Sequence, residues 1–234
     1  MKRALKSTYV NVMHRIGGLV GDATPARENR LKHWAASLPA IYDIDRLVAL
    51  DVPWWTYDAI DWVENFLATR NHPEVFEWGS GASSVWLAKR AARVTSIEHD
   101  GGWLPIVRDR LGAYGHAEVR AVPADAAPVA DPLYLSHKEG YGGVTFEAYA
   151  KAIEADERQY DLIVIDGRVR AACFAHAKDR LKPGGAIVFD NTKRQRYAKP
   201  IRASGLPYRE FSGLTPSLPH PDRTTIVRPE GFAA

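Results

Sequence analysis

The 234-residue sequence has one cysteine, Cys173, and two methionines. A lone thiol excludes an internal disulfide framework and any multi-cysteine zinc site, and it suits a reducing compartment, so a cytoplasmic protein is expected. Long apolar runs are also missing: no uncharged stretch approaches the roughly 20 residues that a membrane span needs. The basic start, Met1-Lys2-Arg3-Ala4-Leu5-Lys6, is not followed by the continuous apolar segment of a secretory signal. Charge of one sign is not in excess either. Thirty-one Lys and Arg against 28 Asp and Glu leave +3, which permits an anionic partner without asking for nucleic acid. Internal repeats and low-complexity tracts are absent. What is present is an ordinary globular composition, 46% hydrophobic and 25% charged, long enough for one large domain or one domain with an extension. No oligomeric state is set by these features, and a homo-oligomer is compatible with them.

Residues 1–52 are the least patterned part. Gly17, Gly18 and Gly21, then Pro25 and Pro39, interrupt any long helix, so an extension of irregular structure or short helices is expected ahead of a main domain over 53–234. Thr56 is placed to cap a helix on which Trp55, Ala59, Trp62, Val63, Phe66 and Leu67 share a face; His72-Pro73 ends it. From there the pattern alternates. Strands are expected at 75–78, 94–98, 118–122, 160–166 and 186–190, with helices at 83–92, 103–111 and 171–181, the last stopped by Lys182-Pro183-Gly184-Gly185. Leu162-Ile163-Val164-Ile165 is too continuously apolar for a half-exposed sheet, so a parallel sheet covered by helices on both faces is predicted. Two short strands at 208–211 and 224–227 read as an antiparallel pair at one sheet edge. The interval 124–145, rich in proline and glycine, is long for a connection and therefore a candidate functional loop.

Open parallel sheets bind ligands beyond the carboxyl ends of their strands, near the reversal of strand order. All five predicted strands place an acid there: Glu77 before Gly79-Ser80-Gly81, Glu98-His99-Asp100, Asp125-Ala126, Asp166-Gly167-Arg168 and Asp190-Asn191. One such Asp is an ordinary turn residue; five in phase point to a site. The glycine turn follows a strand and opens a helix, where backbone N–H groups are free for a ligand. Ser84 stands where a dinucleotide fingerprint has its third glycine, which counts against nicotinamide. Glu98 is spaced to grip a ribose diol, and Glu77 suits a cationic ligand group.

These residues resemble the class I S-adenosylmethionine-dependent methyltransferases. The likeness is carried by Glu77-x-Gly79-x-Gly81-x-Ser83, Glu98, Asp125-Ala126, the strand at 160–166 and Leu181-Lys182-Pro183-Gly184-Gly185-Ala186, and it covers roughly 73–192. It implies an α/β, doubly wound, mostly parallel seven-stranded Rossmann-like sheet with a C-terminal antiparallel strand pair, here with an N-terminal helical extension. It implies S-adenosylmethionine as methyl donor. Glu77 and the Gly79, Ser80, Gly81 and Ser84 turn would hold its methionine part, Glu98 its ribose, and Asp125 with the Ala126 N–H the adenine edge, with His99 or Trp103 against the ring.

On the acceptor side, Asp166-Gly167-Arg168 stands where methyltransferases of nucleobases and amides carry an Asn-Pro-Pro-Tyr type of motif, which counts against such a target; the resemblance implies transfer to an oxygen of a small molecule or sugar. Asp166 with Asp190 and Asn191 is similar to the metal triad of catechol-type O-methyltransferases, which would imply Mg²⁺ or a related cation. The alternative is that Asp166 serves as an acceptor-site base without metal. His137, in the 124–145 loop, is a second candidate base. Lys193, Arg194, Arg196, Lys199 and Arg202 form a basic run that is either a solvated helix face or a grip on an anionic acceptor. Two rivals remain: a nicotinamide-dependent oxidoreductase, favoured by the Tyr134-x-x-x-Lys138 spacing, and a catalytically silent nucleoside-binding protein.

Overall fold

The computed structural model describes residues 25–126, 131–136, 138–155 and 157–232. Short helical pieces come first. α1 (Arg30–Ser37) passes through a 3₁₀ turn at Leu38–Tyr42 into α2 (Ile44–Leu50). Pro39 sits at the start of the 3₁₀ turn, where its missing N–H costs nothing, and Asp43 caps α2 by accepting from the Arg46 amide at 3.1 Å. The next helix, α3 (Tyr57–Ala68), buries Ala59, Val63, Phe66 and Leu67 as its periodicity predicts. Thr56 does not cap it through its side chain. Its hydroxyl donates instead to the Phe211 carbonyl at 3.2 Å, so a contact with the sheet edge has displaced the local one.

The remaining elements are β1 (Glu74–Trp78), α4 (Ala82–Ala88), β2 (Arg93–Glu98), α5 (Leu104–Leu111), β3 (Ala117–Ala121), β4 (Asp125–Ala126), β5 (Val144–Thr145), α6 (Glu147–Lys151), β6 (Tyr160–Ile165), α7 (Arg170–Ala177), β7 (Leu181–Phe189), α8 (Gln195–Ala203), β8 (Tyr208–Gly213) and β9 (Asp222–Val227). Seven strands form one sheet in the order β3-β2-β1-β6-β7-β9-β8. The first five are parallel, and β9 runs antiparallel to both β7 and β8. The strand order reverses between β1 and β6, which makes their carboxyl ends the place where a ligand is expected.

Every residue of β6 is buried. Leu162 and Val164 join one apolar cluster with Trp55, Ile60, Val63 and Trp86, while Ile163 and Ile165 join another with Trp78, Tyr149, Cys173 and Phe189. Alternate residues thus feed the two helical layers, as a strand covered on both faces requires. Ile44 and Val52 belong to the first cluster, so the lead-in helices share the core of the sheet.

Two local expectations fail. The helix after β6 ends at Ala177, and Leu181-Lys182-Pro183-Gly184-Gly185 opens β7 rather than stopping a helix. The register runs from Tyr160 opposite Leu181 to Leu162 opposite Ala186, so the Pro-Gly-Gly segment is a bulge within the strand. Where the sequence suggested only a loop over 124–145, the described residues include a two-stranded ribbon, β4 with β5. No helix among the described residues is long and apolar enough to cross a membrane.

Candidate active site

A cavity of about 660 Å³ opens over the carboxyl ends of β1, β2, β6 and β7. Gly79–Gly81, Glu98–Asp100, Asp166–Arg168 and Asp190-Asn191 form its floor, with Trp103 at one side. Ile41, Ile44, Leu47 and Trp54 from the lead-in helices, with Leu218, His220 and Asp222, close the opposite wall. Three of the five acids predicted to share a lip, Glu98, Asp166 and Asp190, thus line one space; the Glu77 side chain lies beneath it and Asp125 outside it.

Gly79 has φ +90°, and a Cβ on it would stand 2.9 Å from the Asp166 carbonyl carbon and from Gly167 Cα. Gly167 is pinned in turn: a Cβ there would lie 1.9 Å from the Tyr149 hydroxyl oxygen. The two loops can touch only because both positions are glycine. Around Gly81 a Cβ would meet nothing within 4 Å, which leaves a cradle open to a ligand.

Glu98 is the best-anchored acid. It accepts from the Ser80 amide (3.2 Å) and hydroxyl (2.8 Å), and from the His99 and Asp100 amides, both at 2.8 Å. Burial alone would raise its pKa. The donors from His99, Asp100 and Ser80 outweigh that effect and hold the carboxyl below its ordinary range, hence charged. A carboxylate has about four acceptor directions, and all are engaged. A diol would have to exchange with one donor, and the Ser80 hydroxyl is the one free to rotate away. His99 places Nδ1 2.8 Å from Glu98 Oε1, out of line for a hydrogen bond. Its Nε2 meets Arg168 Nε and the Tyr141 hydroxyl, each at 3.1 Å. Arginine can only donate, so Nε2 presents its lone pair and the ring proton sits on Nδ1, facing Glu98. Trp103 Nε1 donates to the Ser80 carbonyl at 2.9 Å.

Four predicted donor residues, Glu77, Ser84, Asp125 and Ala126, lie off the cavity. Glu77 is fully buried and accepts from the Ser83, Ser84 and Ser96 hydroxyls, the last two at 2.5 and 2.6 Å. Burial pushes its pKa up to about 7 against the pull of the three serines, with the Asp166 charge adding to the rise. It ties β1 to β2 and α4 instead of facing a ligand. Asp125 and Ala126 are exposed in β4, opposite Thr145 and Val144, and do not line the cavity. His137 lies outside the described residues.

On the acceptor side, Arg170 stands between the acids. Its Nη2 donates to Asp166 Oδ1 at 2.7 Å, and its Nη1 donates to the Asp190 carbonyl at 2.6 Å and lies 3.9 Å from Asp190 Oδ2. Asp190 Oδ1 accepts from Thr224 (2.7 Å), and its Oδ2 accepts from Asn191 Nδ2 (2.6 Å). This corrects the metal reading. The residues do not fit a divalent cation, because a guanidinium already occupies the space between the carboxylates and the Asn191 amide nitrogen, a donor, faces them. No group of three His, Cys, Asp or Glu side chains among the described residues is arranged for a metal. Burial raises the pKa of Asp166, with Arg170 opposing. It raises that of Asp190 well above the ordinary value, with the Asp166 charge adding to it. Asp166 keeps 21% of its side chain accessible against 3% for Asp190, so it is the one placed to meet an acceptor.

The basic run divides. Arg194 lines the cavity, Lys193 donates to the Pro221 carbonyl, Arg196 lies 4.9 Å over the Tyr197 ring and Arg202 pairs with Glu210. Tyr134 and Lys138 share no helix: Tyr134 sits in a 3₁₀ turn and bonds His176, and Lys138 lies over Tyr141. The oxidoreductase reading loses its main support. Sequence reasoning missed Trp54, Arg170 and His220. The Asp166/Arg170 spacing of four was a usable signal. Trp54 and His220 reach the site only through tertiary folding and had none.

A methyltransferase-domain family model matches residues 76–192. No curated protein matches the chain. Among solved structures, the chain is similar to an O-methyltransferase from Bacillus cereus in complex with SAH, at 18% identity and TM-score 0.55, over 95% of this chain and 98% of that one. It is also similar to a precorrin-6y C5,15-methyltransferase from Geobacter metallireducens, at 15% identity and TM-score 0.50, over 74% and 89%. A precorrin 8w decarboxylase from Methanobacterium thermoautotrophicum matches at 14% identity and TM-score 0.50, with the same coverage. At these identities the likeness is one of fold.

Proposed function

The chain belongs to the methyltransferase-domain family, within the class I S-adenosylmethionine-dependent methyltransferases, and from that premise we propose that it transfers the donor's methyl group to an oxygen of a small molecule or sugar. The observation that carries this reading is the backbone contact between the Gly79 turn and Asp166-Gly167, which leaves room for no side chain at either glycine. A donor seated over Gly79–Gly81 with its ribose on Glu98 brings its sulfonium methyl next to the accessible carboxylate of Asp166.

In the transfer, the acceptor oxygen attacks the methyl carbon, the S–CH₃ bond breaks with its electron pair returning to sulfur, and the O–CH₃ bond forms. The acceptor's proton passes to Asp166, whose other oxygen is steadied by Arg170. Holding the two reactants in line supplies several kcal/mol of the barrier reduction. The walls from Ile41, Ile44 and Trp54 exclude water from the sulfonium. Adenine contact by Asp125 and Ala126 would require the β4–β5 ribbon to move toward the cavity, and Trp103 and His99 are the rings already facing it.

The test is transfer of label from methyl-labelled S-adenosylmethionine to a panel of hydroxylated small molecules, repeated with Asp166→Asn. Loss of a general base lowers kcat by about 10²–10⁴-fold. Affinity for S-adenosylhomocysteine should stay within about threefold of wild type, since Asp166 lies outside the ribose grip. A D166N enzyme at full speed removes Asp166 from the chemistry. Because Arg170 fills the space between the acids, turnover should also persist in EDTA, and its abolition there would contradict this arrangement.

A further inference from the structure

Arg168 lies in the loop after β6 and Arg170 opens α7, and the two have opposite fates. Arg170 is buried and spends its guanidinium on Asp166, Asp190 and the Gly167 carbonyl. Arg168 is half-buried, donates Nε to His99 at 3.1 Å, and lies 5.4 Å over the Tyr141 ring. Its two Nη groups have no hydrogen-bond or carboxylate partner among the described residues, and both remain accessible. A guanidinium fixed at Nε and stacked on a ring loses little freedom when its outer fork is engaged. That fork matches the paired oxygens of a carboxylate or phosphate. From the wall after β7, Arg194 also faces the cavity and has no carboxylate partner among the described residues. The nearby acids do not compete for either cation: Asp166 and Asp190 are held by Arg170, and Asp222 accepts from Asn191 at 3.0 Å.

We infer that Arg168 and Arg194 form an anion-binding subsite in this cavity, which takes a carboxylate or phosphate group carried by the methyl acceptor. The inference rests on the methyltransferase reading for the word acceptor, while the subsite itself can be tested apart from it.

The probe is inorganic phosphate, titrated calorimetrically at constant ionic strength into protein saturated with S-adenosylhomocysteine. Saturable binding is expected in the wild type. It should weaken roughly tenfold in Arg168→Gln and in Arg194→Gln, the loss of one charge-assisted contact, and stay unchanged in Arg196→Gln on the outer helix face. Arg168→Lys should recover part of the loss, which separates lost charge from misfolding. No saturable phosphate binding, or equal binding in R168Q, R194Q and wild type, overturns the subsite. The donor also carries a carboxylate, so S-adenosylhomocysteine affinity is read in the same variants. If R168Q loses donor affinity tenfold and phosphate competes with the donor, the anion belongs to the donor and the acceptor assignment is overturned. If the wild type fails to bind S-adenosylhomocysteine, the methyltransferase reading falls, and titration of the unloaded protein still decides the subsite.

Discussion

At the scale of single residues, the site separates acids that meet a ligand from acids that hold the scaffold. Glu98 is charged and accessible through a rotatable Ser80 hydroxyl; Glu98→Gln should weaken S-adenosylhomocysteine binding about 10–100-fold, the equivalent of about 1.5–3 kcal/mol for a charge-assisted contact, as read by calorimetry. Unchanged affinity would remove it from the ribose grip. Glu77 does the opposite work. Its folded pKa of about 7 lies above the ordinary 4.5, so the folded state binds the proton more tightly than the unfolded chain does. The stability that this proton confers is complete below the unfolded value, declines as pH rises, and is gone above about pH 7, a swing on the order of 3 kcal/mol. Glu77→Gln removes the titration. Thermal melts should show the wild type losing ground to this variant between about pH 5 and pH 8. Parallel profiles would contradict the burial argument. The same sign applies to catalysis by Asp166. A base must be deprotonated and its pKa is raised by burial, so kcat/KM should fall on the acid side at a pH above that of an ordinary aspartate.

At the scale of elements, the turn at Pro132–Tyr134 is tied to α7 by a short relay. Tyr134 donates to His176 Nε2 at 3.0 Å, and His176 Nδ1 donates to Glu154 at 2.7 Å, linking the 3₁₀ turn, α7 and the segment after α6. Breaking it with His176→Ala leaves the hydroxyl of the buried Tyr134 unpaired and should cost about 1–3 kcal/mol, visible in urea midpoints and as faster amide exchange around 132–136. Unchanged exchange there would mean that the relay carries no strain of the fold. The elements also show where a sequence is readable. The apolar run of β6 announces a two-face-covered strand because the requirement is local and continuous. Thr56 looks like a helix cap because capping is local too, yet a carbonyl from β8 supplies a competing partner. Pro183-Gly184-Gly185 looks like a helix stop, yet pairing with β6 carries the strand through it as a bulge. Local chemistry proposes, and cross-strand pairing overrules it where the neighbour comes from far along the chain.

For the whole molecule, the alternation of strands and helices and the acids at the strand ends were legible, since both follow from periodicity and spacing. Which acids face the cavity was not. Glu77 and Glu98 both sit near the ends of their strands, yet Glu77 lies opposite Ser96, two residues short of Glu98, and the Ser83, Ser84 and Ser96 hydroxyls hold it beneath the cavity. The Asp166, Asp190 and Asn191 spacing suggested a metal, whereas the guanidinium that takes its place comes from Arg170, the first residue of the following helix. The lead-in helices could not be placed from sequence, yet they close the cavity and complete the core. The central claim is that the donor lies across the Gly79–Gly81 turn between Glu98 and Asp166, and a crystal structure of the S-adenosylhomocysteine complex tests it most directly. The account predicts the ribose hydroxyls on Glu98 with the Ser80 side chain rotated away, and the sulfur turned toward Asp166. A nucleoside bound elsewhere, with the Ser80–Glu98 hydrogen bond intact, would contradict it.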